Sequence, residues 1–149
     1  MKHKLSGDVV KMKESAIKAS EIYNGGLYCS QAVLGAFCEK YGMDKDLAFM
    51  ISCGLNSGCR SADVCGAVSG AILVVGLKYG DNKAICNLKT EEYVKAFRDR
   101  NGSIICRDLL GRDISTPEGK EKATTENLFK TRCVDMVASS AQILAELEY

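Results

Sequence analysis

Glycine ends one apolar run after another in this chain, and within each run the apolar residues recur three and four positions apart. That spacing lays them along one face of an α-helix. No period-two alternation of the kind a half-buried strand needs is convincing anywhere. The chain carries 1 Pro in 149 residues, so little interrupts a helix once it has started.

Read in order, Val9, Met12, Ala16, Ala19 and Tyr23 form one stripe in a helix over 8–24, capped by Ser6 or Asp8 and stopped by Gly25-Gly26. Cys29, Val33, Ala36, Phe37 and Tyr41 mark a second helix ending at Gly42, and Asp44 caps a short third one through Ile51 and Cys53. A Gly-, Asn- and Ser-containing loop over 54–61 follows. Ser61 or Asp63 is then expected to cap an apolar helix running to Tyr79. Within it Ile72 to Val75 would also suit a strand, but about 16 residues without a turn signal favour helix. Thr90 opens a fifth helix with Tyr93, Val94 and Phe97 inward, and Ser103 caps a short one through Leu110. Thr116-Pro117 is a helix-start signature, although 118–125 carries no stripe and reads as loop or frayed turn. Phe129, Cys133, Val137, Ala141 and Leu144 make a long last helix over 126–147, with Cys133 midway along its inward face. The expectation is a single all-α domain over 1–149, a bundle of about six helices.

Composition agrees with a folded domain and removes several functions. Hydrophobic residues make up 46% and charged residues 26%, enough apolar surface for a core and too much for a disordered chain. The formal net charge of +1 supplies no general attraction for nucleic acid or an anionic membrane. The longest uncharged apolar stretch, 66–77, is well short of the roughly 18 residues of a membrane span. Lys11, Lys13 and Glu14 interrupt the N-terminal region, which therefore lacks the apolar centre of a signal peptide, and a cytoplasmic location is expected. The single histidine, His3, sits near the chain start, so Ser-His-Asp and Cys-His catalysis lack a base, and mixed Cys/His zinc sites are disfavoured.

What remains is sulfur. There are 8 cysteines, at 29, 38, 53, 59, 65, 86, 106 and 133, with no CxxC among them. Zinc ribbons, thioredoxin-type centres and the ferredoxin run all need that tight spacing. A reducing cytoplasm argues against a structural disulfide framework. Any centre must therefore be assembled from separate helices. Cys29, Cys65 and Cys106 fall near expected helix starts, where free N–H groups favour thiolate. Cys38, near a helix end, and Cys86, in a polar loop, read as inert. Gly66 and Gly70, four apart, would let another helix approach closely.

These residues resemble the C_GCAxxG_C_C family of redox-active proteins, named for its cysteine pattern. Cys65-Gly66-Ala67-Val68-Ser69-Gly70 matches its CGAxxG motif, Cys29 its first cysteine, Cys106 in the Gly102–Gly111 segment its third, and Cys133 its fourth. The resemblance runs from about Ala16 to Leu147. It implies that Cys29, Cys65, Cys106 and Cys133 form one redox centre, working with a redox partner that the residues do not identify. Cys38, Cys53, Cys59 and Cys86 are additions to that pattern. Three functions fit: a thiol–disulfide centre with Cys65 as attacking thiolate, an iron–sulfur or other thiolate-bound metal centre on the same four cysteines, and a helical interaction module, such as a homodimer, with inert thiols.

Overall fold

The computed structural model describes the backbone of residues 2–149 and the side chains of residues 6–149, so His3 lies outside the described side chains. Among the described residues there are eight α-helices and no strand: α1 (Lys2–Asn24), α2 (Cys29–Phe37), α3 (Lys45–Ser52), α4 (Gly66–Tyr79), α5 (Lys83–Asn101), α6 (Cys106–Leu110), α7 (Pro117–Thr125) and α8 (Arg132–Glu146). The all-α expectation holds, and the count exceeds the expected six because local capping makes helices where the apolar stripe is weak. Thr116 accepts a hydrogen bond from the Gly119 N–H at 3.0 Å, and Pro117 occupies the first helical position. That is sufficient for α7, although Ala123 is its sole buried residue. Asn82 likewise accepts from the Ile85 N–H at 3.1 Å and starts α5 seven residues before Thr90.

Two boundaries move in the other direction. The last helix begins at Arg132 instead of residue 126, because Asn127 adopts a left-handed conformation and residues 128–130 make a 3-10 turn. The motif helix begins at Gly66, so neither Ser61 nor Asp63 caps it. Asp44 does cap α3, accepting from the Leu47 N–H at 3.2 Å.

In the larger of two core clusters Val68, Val74 and Val75 of α4 meet Val33 and Leu34 of α2, Tyr93 and Phe97 of α5, and Val137, Ile143 and Leu144 of α8, all fully or almost fully buried; a smaller cluster joins Ala62, Cys106, Leu110, Ile114 and Ala123. The stretch 72–75 is helical throughout. A buried polar chain crosses this core. The Tyr93 hydroxyl and Ser140 Oγ are 2.6 Å apart, and Ser140 Oγ donates to the Ala67 carbonyl at 2.7 Å. It ties α5 and α8 to the first turn of α4. The C-terminal part of α1 packs on α8 and α2 through Ala19, Ile22 and Tyr23. Its N-terminal part extends past the body, which leaves Val9 47% exposed despite its place on the apolar stripe. No helix among the described residues is long and apolar enough to cross a membrane.

Candidate functional site

Each of the four motif cysteines stands at the start of a different helix. Cys29 is the first residue of α2, Cys65 is the N-cap of α4, Cys106 is the first residue of α6, and Cys133 is the second of α8. The mid-helix placement expected for Cys133 is thereby corrected, because the late start of α8 brings it into the first turn. All four line one cleft of about 760 Å³. Cys65 and Cys106 are buried, at 7% and 6% exposure, and Cys29 and Cys133 are half-buried.

Backbone pairing joins the segments that carry Cys65 and Cys106. Val64 and Ile105 form an isolated antiparallel bridge. The Cys65 N–H donates to the Ile104 carbonyl at 2.8 Å, and the Cys106 N–H donates to the Asp63 carbonyl at 2.6 Å. Outside this bridge, Arg107 donates to the Asp63 carboxylate at 2.9 Å. Ser103, the expected cap of α6, accepts from the Ile105 N–H and donates to Asp108, both at 3.0 Å, which shapes the turn before the helix.

Close packing joins Cys29 to Cys65. A Cβ on Gly66 would overlap Cys29 Sγ, and one on Gly70 would lie 2.6 Å from the Ser30 carbonyl oxygen. The two glycines of the motif are thus the surface on which α2 rests. The start of α2 is held from its other side by α3. Ser30 Oγ donates to the Ser52 carbonyl at 2.7 Å, and Gln31 Nε2 donates to the Phe49 carbonyl at 2.9 Å.

The preceding loop has an unusual backbone. Ser57, Gly58, Cys59 and Arg60 are consecutively left-handed, as is Ala62. Non-glycine residues adopt this conformation at a cost of about 1–2 kcal/mol each, so the surrounding contacts must enforce it. One consequence is that the Ser57 N–H faces Cys29. It joins the N–H groups of Ser30, Gly66 and Cys29 itself in favouring a Cys29 thiolate.

Burial opposes that thiolate and prevails. It pushes the Cys29 thiol up, the Cys65 thiol well up, and Cys106 and Cys133 up to about 12. The second cause, for Cys65, Cys106 and Cys133 alike, is charge on Cys29, so the four sulfurs repel one another as thiolates and Cys29 is the member that all the others sense. At neutral pH the metal-free site holds thiols. The expectation that Cys65 is the activated thiolate finds no electrostatic support, since the N–H cradle surrounds Cys29 instead.

Among the described residues no three Cys, His, Asp or Glu side chains are close enough to hold one metal ion together. The donors nevertheless suit a larger group: four soft thiols line the cleft and no Asp or Glu is among its lining residues. Cys53 is a fifth lining cysteine at the exposed rim, whereas Cys59 is exposed outside the lining. Cys38 is fully buried in the core, its thiol donating to the Gly35 carbonyl at 3.6 Å, and Cys86 lies on α5 against the core, not in a loop. Tyr23 was visible in the sequence only as a core position. Its hydroxyl donates to the Phe129 carbonyl at 2.6 Å and also meets Cys133, whose thiolate it favours. Arg60, Lys120 and Lys130 also line the cleft, and no spacing pattern pointed to them.

The described residues make an all-helical protein in which four thiols from four helix starts line one cleft. The family model described as "Putative redox-active protein (C_GCAxxG_C_C)" matches residues 27–147, and the chain belongs to this family. No curated protein and no solved structure gives a significant match to the chain.

Proposed function

We propose that Cys29, Cys65, Cys106 and Cys133 together ligate a redox-active metal cluster, of the iron–sulfur class that four thiolates suit, and that the protein carries electrons. The observation that carries this reading is the convergence of four buried or half-buried thiols, which disfavour one another's ionisation, on one cleft whose lining includes no carboxylate. Such thiols ionise together only against a positive charge, and bound metal provides it. When bound, the cluster would supply reversible one-electron chemistry. The chain's own residues set its surroundings. The N–H groups at Cys29 offset thiolate charge, Tyr23 holds Cys133, and Leu109 and Met136 form apolar wall beside the sulfurs. The α-helices of Cys29, Cys65 and Cys133 direct their positive ends toward the same charge.

Anaerobic purification with iron, sulfide and visible-absorption analysis tests the proposal. A coloured protein whose metal is lost in Cys29→Ser, Cys65→Ser, Cys106→Ser and Cys133→Ser, and retained in Cys86→Ser, supports it. A colourless protein after anaerobic reconstitution refutes it.

A second reading rests on the N–H cradle of Cys29, which would serve a lone thiolate as well. Cys29 and one neighbour would form a disulfide, passing two electrons to an acceptor and releasing two protons. Colourless protein that loses two free thiols on mild oxidation, and regains them with a dithiol reductant, selects this alternative.

A further inference from the structure

Three cations line the cleft, and none of them has a carboxylate partner. Arg60 donates only to neutral groups, Asn56 Oδ1 at 3.1 Å and Ser57 Oγ at 3.3 Å. Lys120 and Lys130 take part in none of the ion pairs among the described residues, although Lys122, two positions from Lys120, pairs with Glu118. Among the described residues seven other basic side chains do pair with an acid, among them Lys45 with Glu39, Arg100 with Glu146, Arg107 with Asp63 and Arg112 with Glu126. No Asp or Glu lines the cleft. Three unpaired positive charges around one concavity, without an acid among them, leave a charge for a ligand to satisfy.

Space and wall chemistry narrow the ligand. About 760 Å³ falls within the roughly 300–1,000 Å³ of pockets that take drug-sized organic molecules. The sulfurs occupy the buried part of the wall, while the three cations are exposed and belong to the rim. Between them the wall is apolar, with Leu110, Ile114 and Phe129 on one side and exposed Tyr28 on another. Inorganic anions would leave that surface wet and unused.

We propose that the outer part of the cleft binds a small organic anion with an apolar body, its carboxylate or phosphate held by Arg60, Lys120 and Lys130 and its body against Ile114 and Phe129. The inference deepens the reading of the cleft as a redox site by naming the class of molecule that meets it, and it uses the cations and apolar wall, not the metal.

The test is a fluorescence titration of the full-length protein with 8-anilinonaphthalene-1-sulfonate, beside its uncharged parent 1-anilinonaphthalene. The sulfonate is expected to bind more tightly than the parent. Lys120→Gln and Lys130→Gln, both at exposed positions, are each expected to weaken it about fivefold, the effect of removing one near-surface charge contact. They should leave the parent's binding and the melting temperature unchanged. Arg60→Lys, which keeps the charge, should bind nearly as the parent protein does. Benzoate and phenyl phosphate as competitors separate the two headgroups. Equal binding of sulfonate and uncharged parent, unaltered affinity in both lysine variants, or failure of both competitors overturns the proposal. Iron and sulfide are assayed on the same samples. A protein that stays metal-free after anaerobic reconstitution and still binds the sulfonate through the lysines refutes the cluster and leaves this inference standing.

Discussion

Placing a methyl group on Gly70 separates packing from helix propensity at the motif. In α4 the new Cβ would lie 2.6 Å from the Ser30 carbonyl oxygen and 3.1 Å from the Ser30 Cα, both backbone atoms of α2. Ordinary contact begins near 3.4 Å, so α2 must retreat by about 0.8 Å. Overpacking of this kind costs about 1–3 kcal/mol, against about 1 kcal/mol that alanine gains over glycine within a helix. The net expectation for Gly70→Ala is a loss of up to about 2 kcal/mol, a fall in Tm of about 2–4 °C per kcal/mol. Gly76→Ala, six residues on in the same helix, is the control. Its Cβ meets nothing within 4 Å, so it should stabilise by up to about 1 kcal/mol. Thermal unfolding by circular dichroism measures both. The displacement also exceeds the roughly 0.5 Å tolerance of a preorganised site. Because Cys29 begins α2 and Cys65 caps α4, metal content should fall in Gly70→Ala and hold in Gly76→Ala. A Gly70→Ala protein as stable as Gly76→Ala, with full metal content, would show that this helix contact does not set the distance between the cysteines.

Other consequences can be measured separately. The Cys106 and Cys133 thiols titrate near 12 in the folded metal-free protein against about 9 for a free thiol, so the unfolded chain releases its protons first and stability should fall as pH rises from about 9 to 12. The double variant Cys106→Ala/Cys133→Ala should show a flatter profile over that window in denaturant titrations, and an unchanged slope would contradict the burial argument. Ser140→Ala removes the acceptor of the buried Tyr93 hydroxyl and should cost about 1–3 kcal/mol by the same titrations. Asp63→Asn weakens an exposed ion pair with Arg107 and should change stability by less than about 1 kcal/mol, provided the backbone bridge beside it holds. Loading thiols with metal displaces their protons, so reconstitution in weak buffer at pH 7 should acidify the solution, and Cys65→Ser should reduce the release.

The helical class was legible because Gly25, Gly42, Gly80, Gly102 and Gly111 follow runs of apolar residues at helical spacing. The four cysteines were legible by motif, and the structure carries them to one cleft. Their exact helical positions were not, for reasons of local backbone. Asn127 turns left-handed and delays α8, and a run of left-handed residues after Asn56 delays α4, and neither conformation leaves an apolar pattern to read. Ser61 and Asp63 have the chemistry of caps, but the Asp63 carboxylate is engaged by Arg107 and its carbonyl accepts from the Cys106 N–H. The cations of the rim come from three separate turns and helices, so their meeting depends wholly on tertiary placement.

Because the four thiols come from four helices spread between residues 29 and 133, no stretch of nascent chain contains the centre. A zinc ribbon can gather metal on a short loop as it emerges, whereas here the loops between ligands must close before the donors meet, and closing them costs entropy. Metal offered to the open chain would meet eight thiols with no geometry to choose among them. Maturation then has an order. For the proposed metal centre, the donors meet only once α8 is docked on α1, so metal would enter the folded cleft, where Cys53 lies at the exposed rim.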